Sequence, residues 1–180
     1  MTLGELGYKM GTDKGDATDD MWHSYLPIYE QLFESFRDES FSLLELGVAS
    51  GGSMRMWREW FPNASLFGVD NDPAHCIRPD TVAVATLYHG EQDDDKLFAE
   101  KFTDKQFQII IDDAEHDPKK QMLSFMLLWR CVKPGGFYIV EDVRSEHWAE
   151  YWDSIPGATV HRLHKNQRED DLLVVIEKPL

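Results

Sequence analysis

The sequence predicts an α/β fold: a seven-stranded, mostly parallel sheet with helices on both faces and an antiparallel hairpin at one edge. Apolar runs of strand length alternate with helical patterns from Ser42 to Val143, and such alternation builds a parallel sheet through right-handed crossovers. The last two runs, Thr159 to Leu163 and Leu172 to Glu177, are joined only by the polar turn Lys165 to Asp170. With no helix between them they pair antiparallel. At 180 residues the chain buries one good core and reads as a single domain, 1–180.

Taken in order, residues 1–38 read as the polar turn Gly11-Thr12-Asp13-Lys14-Gly15 and an amphipathic helix carrying Trp22, Tyr25, Ile28, Tyr29, Leu32 and Phe33 near one face. This segment either packs as a helix over the sheet or caps a bound ligand, with His23 and Tyr25 then close to it. The first strand, Ser42 to Leu46, runs into a glycine-rich turn (Gly47, Gly51, Gly52) and a helix over Ser53 to Trp60. The second, Ser65 to Asp70, ends in a lone carboxylate. Strands at Val82 to Leu87, Phe107 to Ile111 and Gly136 to Val140 follow, with helices over Asp93 to Phe102 and Pro118 to Cys131 between them. Trp148, Tyr151 and Trp152 come after the fifth strand and either line an acceptor pocket or pack a helix on the sheet.

The glycine turn and Asp70 point to a nucleoside. Glycines let the backbone approach a ligand, a helix start offers unpaired N–H groups, and an acid at the second strand end accepts ribose hydroxyls. The spacing is not the Gly-x-Gly-x-x-Gly of dinucleotide folds, and Glu45 would face a pyrophosphate with like charge. A cationic adenosyl ligand such as S-adenosylmethionine fits better than NAD.

Two more strands end in acids, at Asp112-Asp113-Ala114-Glu115-His116 and at Glu141-Asp142. In an open parallel sheet these ends rim the ligand crevice, so carboxylates and a histidine converge there. Hard oxygen ligands suit Mg²⁺ or Mn²⁺ and would repel one another without a cation. His75, His89, His161 and His164 read as surface residues.

Composition narrows the partners. A formal net charge of −15 disfavours nucleic acid, and it is compatible with small neutral or cationic substrates. No apolar run reaches the length of a membrane span, and Met1 to Glu5 lacks a signal-peptide pattern. Cys76 and Cys131 have no metal-type spacing and read as free thiols, so a cytoplasmic protein is expected. Assembly into a homo-oligomer is left open.

Gly11 to Gly15, His23 and Tyr25, Glu45-Leu46-Gly47 with Gly51-Gly52-Ser53, Gly68-Val69-Asp70, Ile111-Asp112-Asp113 with His116, and Pro134-Gly135-Gly136 with Glu141-Asp142 together resemble the mycinamicin-type, metal-dependent O-methyltransferases of macrolide and other natural-product sugars. Their fold is the Rossmann-like class I methyltransferase layout. The resemblance implies Mg²⁺ (or Mn²⁺) on Asp113, Glu141 and Asp142, His116 as general base, and Asp112 near the cofactor. Gln92 and Asp93 match the segment near the adenine end. The cofactor set is then Tyr25, Glu45, Gly47, Ser53, Asp70, Gln92, Asp93 and Asp112, and the substrate a small hydroxylated molecule. An NAD-dependent oxidoreductase and a catalytically silent adenosyl-binding domain are the alternatives.

Overall fold

The computed structural model describes residues 1–15, 23–163 and 170–180. Trp22, His164 and the turn Lys165 to Glu169 lie outside the described residues. The helices are α1 (Leu3–Met10), α2 (Leu26–Phe33), α3 (Gly52–Trp60), α4 (Pro79–Val82), α5 (Asp95–Phe102), α6 (Pro118–Leu128) and α7 (Glu146–Asp153). The strands are β1 (Ser42–Leu46), β2 (Ser65–Asp70), β3 (Thr86–His89), β4 (Phe107–Asp112), β5 (Val132–Val140), β6 (Ala158–Arg162) and β7 (Leu172–Glu177).

These strands form one seven-stranded sheet in the order β3-β2-β1-β4-β5-β7-β6. β1 to β5 pair parallel, while β7 inserts antiparallel between β5 and β6. This is the expected layout with its edge hairpin. Period-two alternation sends Leu43, Ile109, Ile111 and Ile139 to one face, where Tyr29, Phe33, Trp57 and Phe61 cover them. Leu44, Leu46, Ile110, Tyr138 and Val140 go to the other face, beneath Phe98, Phe102, Leu128 and Trp152. Both faces are buried, which explains the near-continuous apolar strands.

Several boundaries differ from the sequence expectation. The third strand is Thr86–His89 rather than Val82 to Leu87, because Pro79 presets the first helical position and draws Val82 into α4. α5 starts at Asp95 because the Asp94 carboxylate caps it, accepting from the N–H groups of Lys96 and Leu97. α6 stops at Leu128 and tightens into a 3-10 turn over Trp129–Cys131, and β5 already begins at Val132.

α1 was not expected, and α7 was one of two alternatives. α1 carries a capping box, in which Thr2 and Glu5 satisfy each other's backbone N–H, and it ends on Gly11 at φ 73°. α7 resolves the open choice for the aromatic segment. Trp152 is fully buried against the sheet, its ring 5.5 Å from that of Phe125, and Trp148 and Tyr151 do not line the main cavity.

Candidate active site

A cavity of about 560 Å³ opens at the C-terminal ends of the parallel strands. One wall is the turn after β1, where Gly47 has φ 85° and a Cβ would lie 2.0 Å from the Asp113 carbonyl oxygen. Only glycine lets the loops after β1 and β4 pass so closely. Gly51, at φ 76°, starts α3 from a left-handed conformation, and Ser53 lines the cavity just inside that helix.

Asp70 braces this wall. Its Oδ2 accepts the N–H groups of Val48 and Ala49, each at 2.8 Å, and its Oδ1 accepts the Asp72 N–H at 2.8 Å. The His75 ring Nδ1 lies 3.1 Å from Oδ1. Burial pushes this carboxyl up, but the three N–H groups and His75 outweigh it and hold it below its ordinary value. Asp70 is thus an ionised acid on the cavity wall, fixing the glycine turn.

The opposite wall holds Asp113, His116 and Asp142. One ligand atom from each lies within 4.8 Å of the others. Burial lowers the His116 pKa, so the ring is neutral near pH 7. Burial, then the charge of Asp113, pushes Asp142 up to about 7. Tyr25, expected beside the cofactor, is fully buried. Its hydroxyl donates to Asp142 Oδ1 at 2.6 Å and accepts the Asp142 N–H at 3.3 Å. His23 stacks on Tyr25 and sits 3.3 Å from Asp142 and 3.4 Å from Asp171.

Lys14, only 1% exposed, lines the cavity beside this wall. Its ammonium contacts Asp113, reaches Glu141 Oε2 at 2.8 Å and lies 3.4 Å from Glu45 Oε1. Burial works against this charge, yet Asp113, Glu141 and Glu45 outweigh it and hold Lys14 well above its ordinary pKa. Three carboxyls share one ammonium, so Lys14 stays charged and the surplus acid, Glu141 most, is pushed up by burial and by Asp113. Glu45 and Glu141 do not line the cavity. Glu45 also accepts from the Trp57 indole at 3.1 Å, and Glu141 Oε1 from the Tyr29 hydroxyl at 2.5 Å.

Asp112 faces away from the cavity as well. It is fully buried, accepts from Gln92 at 3.1 Å and from Ser124, and burial raises it to about 7. Gln92 lines the cavity, and its carbonyl oxygen accepts the Glu115 N–H at 3.0 Å. The pair therefore clamps the loop that carries Asp113 and His116. Asp93 is half-buried and is not a cavity residue.

The donor set of Asp113, His116 and Asp142, two carboxylates and an imidazole, fits a divalent cation, and Mn²⁺ accepts imidazole more readily than Mg²⁺ does. Backbone strain marks the same place. Among the described residues the non-glycine positions with positive φ are Ala49 (45°), His116 (58°) and Asp142 (53°), and all three line the cavity. Such strain gathers where function dictates geometry.

Comparison with known proteins agrees with this architecture. Residues 44–143 match the family of the methyltransferase domain. This chain belongs to that family. It is 35% identical over 169 residues to the 8-demethyl-8-(2-methoxy-alpha-L-rhamnosyl)-tetracenomycin-C 3'-O-methyltransferase of Streptomyces olivaceus, covering 89% of this chain and 40% of that protein. It is 32% identical over 145 residues to the mycinamicin VI 2''-O-methyltransferase of Micromonospora griseorubida, covering 75% of this chain and 34% of that protein. The chain thus spans about two-fifths or less of the length of these relatives. Among solved structures, MycE methyltransferase from the mycinamycin biosynthetic pathway, in complex with Mg, SAH and mycinamycin VI, matches 99% of this chain and 55% of its own, with TM-score 0.75 and 24% identity. At that identity the likeness shows the class I methyltransferase fold.

For a methyltransferase domain the surprises are Lys14, Tyr29, Ser124 and His75. The Gly11 to Gly15 string was legible as a motif, but nothing in one sequence says that its lysine folds against the acid wall. Ser124, four residues along α6 from Lys120, gives no sign in the sequence of reaching Asp112.

Proposed function

We propose that this domain transfers a methyl group from S-adenosyl-L-methionine to a hydroxyl of a small molecule, a sugar or other natural-product diol, with the help of Mg²⁺ or Mn²⁺. The observation that carries this reading is one cavity with a glycine turn and Asp70 on one side and Asp113, His116 and Asp142 on the other. The names of the relatives, all sugar or macrolide O-methyltransferases among those cited, support the same chemistry. Residues 1–38 are read as a cap over the site within a single domain, 1–180. The free thiols Cys76 and Cys131 support a reducing compartment such as the cytoplasm, and no described helix is long and apolar enough to cross a membrane.

In this reading Gly47 and Ser53 border the cofactor. Asp70 holds the glycine turn through Oδ2 and accepts a ribose hydroxyl on Oδ1 in place of the half-buried His75 ring, and Gln92 flanks the adenine end. Bound S-adenosylmethionine supplies a methyl group activated by its sulfonium. Asp113 and Asp142 hold a divalent cation, which would lower the pKa of an acceptor hydroxyl. His116, neutral at pH 7, would take the hydroxyl proton as the oxygen bonds to the methyl carbon and the carbon–sulfur bond of the sulfonium breaks, leaving the neutral thioether S-adenosylhomocysteine. Charged walls fix the orientation of the acceptor.

Calorimetric titration with S-adenosylhomocysteine and separately with NADH, each with Mg²⁺ or a chelator, tests the reading. Binding of the homocysteine nucleoside without NADH is expected. NADH binding alone, or neither, sinks it. Binding with no turnover across hydroxylated acceptors would favour a silent adenosyl-binding domain.

A further inference from the structure

We infer that His75 is a side-chain gate on the ribose subsite: in the free protein its ring holds the acceptor position on Asp70 that a ribose hydroxyl needs, and it leaves as the cofactor enters. This rests on the proposal that Asp70 binds the ribose of an adenosyl cofactor. A carboxylate offers about four lone-pair positions, and at Asp70 donors fill them all. The Val48 and Ala49 N–H groups, each at 2.8 Å, take Oδ2, while the Asp72 N–H at 2.8 Å and the His75 ring Nδ1 at 3.1 Å take Oδ1. Asp70 is ionised and can only accept, so Nδ1 carries the proton of that bond. A ribose hydroxyl finds no position there until one donor leaves.

The backbone donors are held in place. Val48 and Ala49 belong to the glycine turn, which is closed by the Gly47 N–H on the Val69 carbonyl and the Gly51 N–H on the Val48 carbonyl, both at 2.8 Å. Asp72 belongs to the turn after β2, where its carbonyl accepts the His75 N–H at 3.0 Å and its Oδ1 accepts the Ala74 N–H at 2.8 Å. These bonds also fix the backbone of His75, which opens a 3-10 turn over His75–Ile77, so only its side chain is left to move. The ring is 35% exposed and lines the cavity with Asp70 and Asn71. Rotamer changes of such partly exposed side chains are fast. An outward station stands ready, because Asp72 Oδ2, on a side chain 51% exposed, lies 3.9 Å from the ring Nε2. Leaving Asp70 for Asp72 keeps an acid beside the ring, and the ribose hydroxyl replaces the bond that Asp70 gives up.

The test is calorimetric titration of the full chain, as wild type and as His75→Ala, with S-adenosylhomocysteine and with its 2′,3′-dideoxy analogue, alongside nitrogen NMR of the wild-type histidine rings. A gate that is mostly shut lowers apparent affinity by its open fraction, so His75→Ala is expected to bind S-adenosylhomocysteine roughly tenfold more tightly than wild type. The dideoxy analogue brings no hydroxyl to Oδ1 and should bind the two proteins within about twofold of each other. In the wild type the His75 Nδ1 and Nε2 resonances should shift when S-adenosylhomocysteine is added, as the ring loses the Asp70 carboxylate. Unchanged or weaker S-adenosylhomocysteine binding by His75→Ala overturns the gate and leaves the cofactor reading standing. An equal gain with the dideoxy analogue also overturns it, since only bulk would then have been relieved, and so do His75 resonances that stay put on binding. S-adenosylhomocysteine binding by neither protein sinks the cofactor reading and the gate with it.

Discussion

Replacing Asp70 by asparagine should loosen the wall that receives the cofactor. The carboxylate serves two pairs of donors, Val48 and Ala49 on one oxygen, Asp72 and the His75 ring on the other. An amide has one acceptor atom, so whichever way the new side chain turned, one pair would face an NH₂ group. Hydrogen bonds to a charged group contribute about 1.5–3 kcal/mol each. Ala49 and Asp72 are exposed, so water recovers part of the loss. The net expectation is a fall of about 2–4 kcal/mol in unfolding free energy at pH 7, read by urea denaturation. The pH dependence supplies a second check. The folded-state pKa is depressed, so the contribution is complete above the unfolded value of about 3.9 and is lost as pH falls through the folded value. The gap between wild type and D70N must therefore narrow below about pH 4. A loss under about 0.5 kcal/mol at pH 7, or a gap that stays constant into strong acid, would refute the bracing role.

Three other outcomes follow from the same geometry. Gly47→Ala puts a Cβ 2.0 Å from the Asp113 carbonyl at φ 85° and should cost about 3 kcal/mol or more in denaturant titrations, with S-adenosylhomocysteine binding lost as well. His116→Gln should cut methyl transfer by roughly 10²- to 10⁴-fold while calorimetry finds nucleoside affinity unchanged, because the ring borders the acid wall rather than the glycine turn. Ser124→Ala removes a donor to the buried Asp112 carboxylate and should lower stability by about 1–3 kcal/mol, with near-normal cofactor binding.

How much of this was legible depended on the range of the signal. β1, β2 and β7 were read with the ends they have, because buried apolar strands bounded by turns announce themselves locally. The capping box Thr2-x-x-Glu5 with Gly11 was also written in the chain, yet eight residues with two glycines have a weak helical pattern, and α1 is held by packing on α3 instead. At the site, the sequence brought the right acids to the strand ends. It could not say which way each turns, since neighbouring residues on a strand end face opposite sides. Asp113 and Asp142 reach the cavity, whereas Asp112 and Glu141, one residue earlier in each pair, go into the protein. That alternation makes one member of each doublet a wall residue and the other a support.

Tyr25 is where the sequence expectation and the geometry assign different jobs, and one substitution separates them. Asp142 sits at φ 53°, a conformation that a non-glycine residue holds only when its surroundings insist. The Tyr25 hydroxyl provides that insistence from both sides, donating to the side chain and accepting the backbone N–H of the same residue. Tyr25→Phe keeps the ring that stacks on His23 and deletes only the pin. With two buried hydrogen bonds gone, stability should fall by about 1–3 kcal/mol, and Asp142 should relax from the orientation that aims Oδ2 at the cavity. Mn²⁺ affinity should then drop several-fold while S-adenosylhomocysteine affinity stays put. If Tyr25 instead touched the cofactor, nucleoside binding would weaken and Mn²⁺ binding would not. That reverse pattern would return Tyr25 to the cap and leave the strain at Asp142 to be explained by Glu141 and Val143 alone.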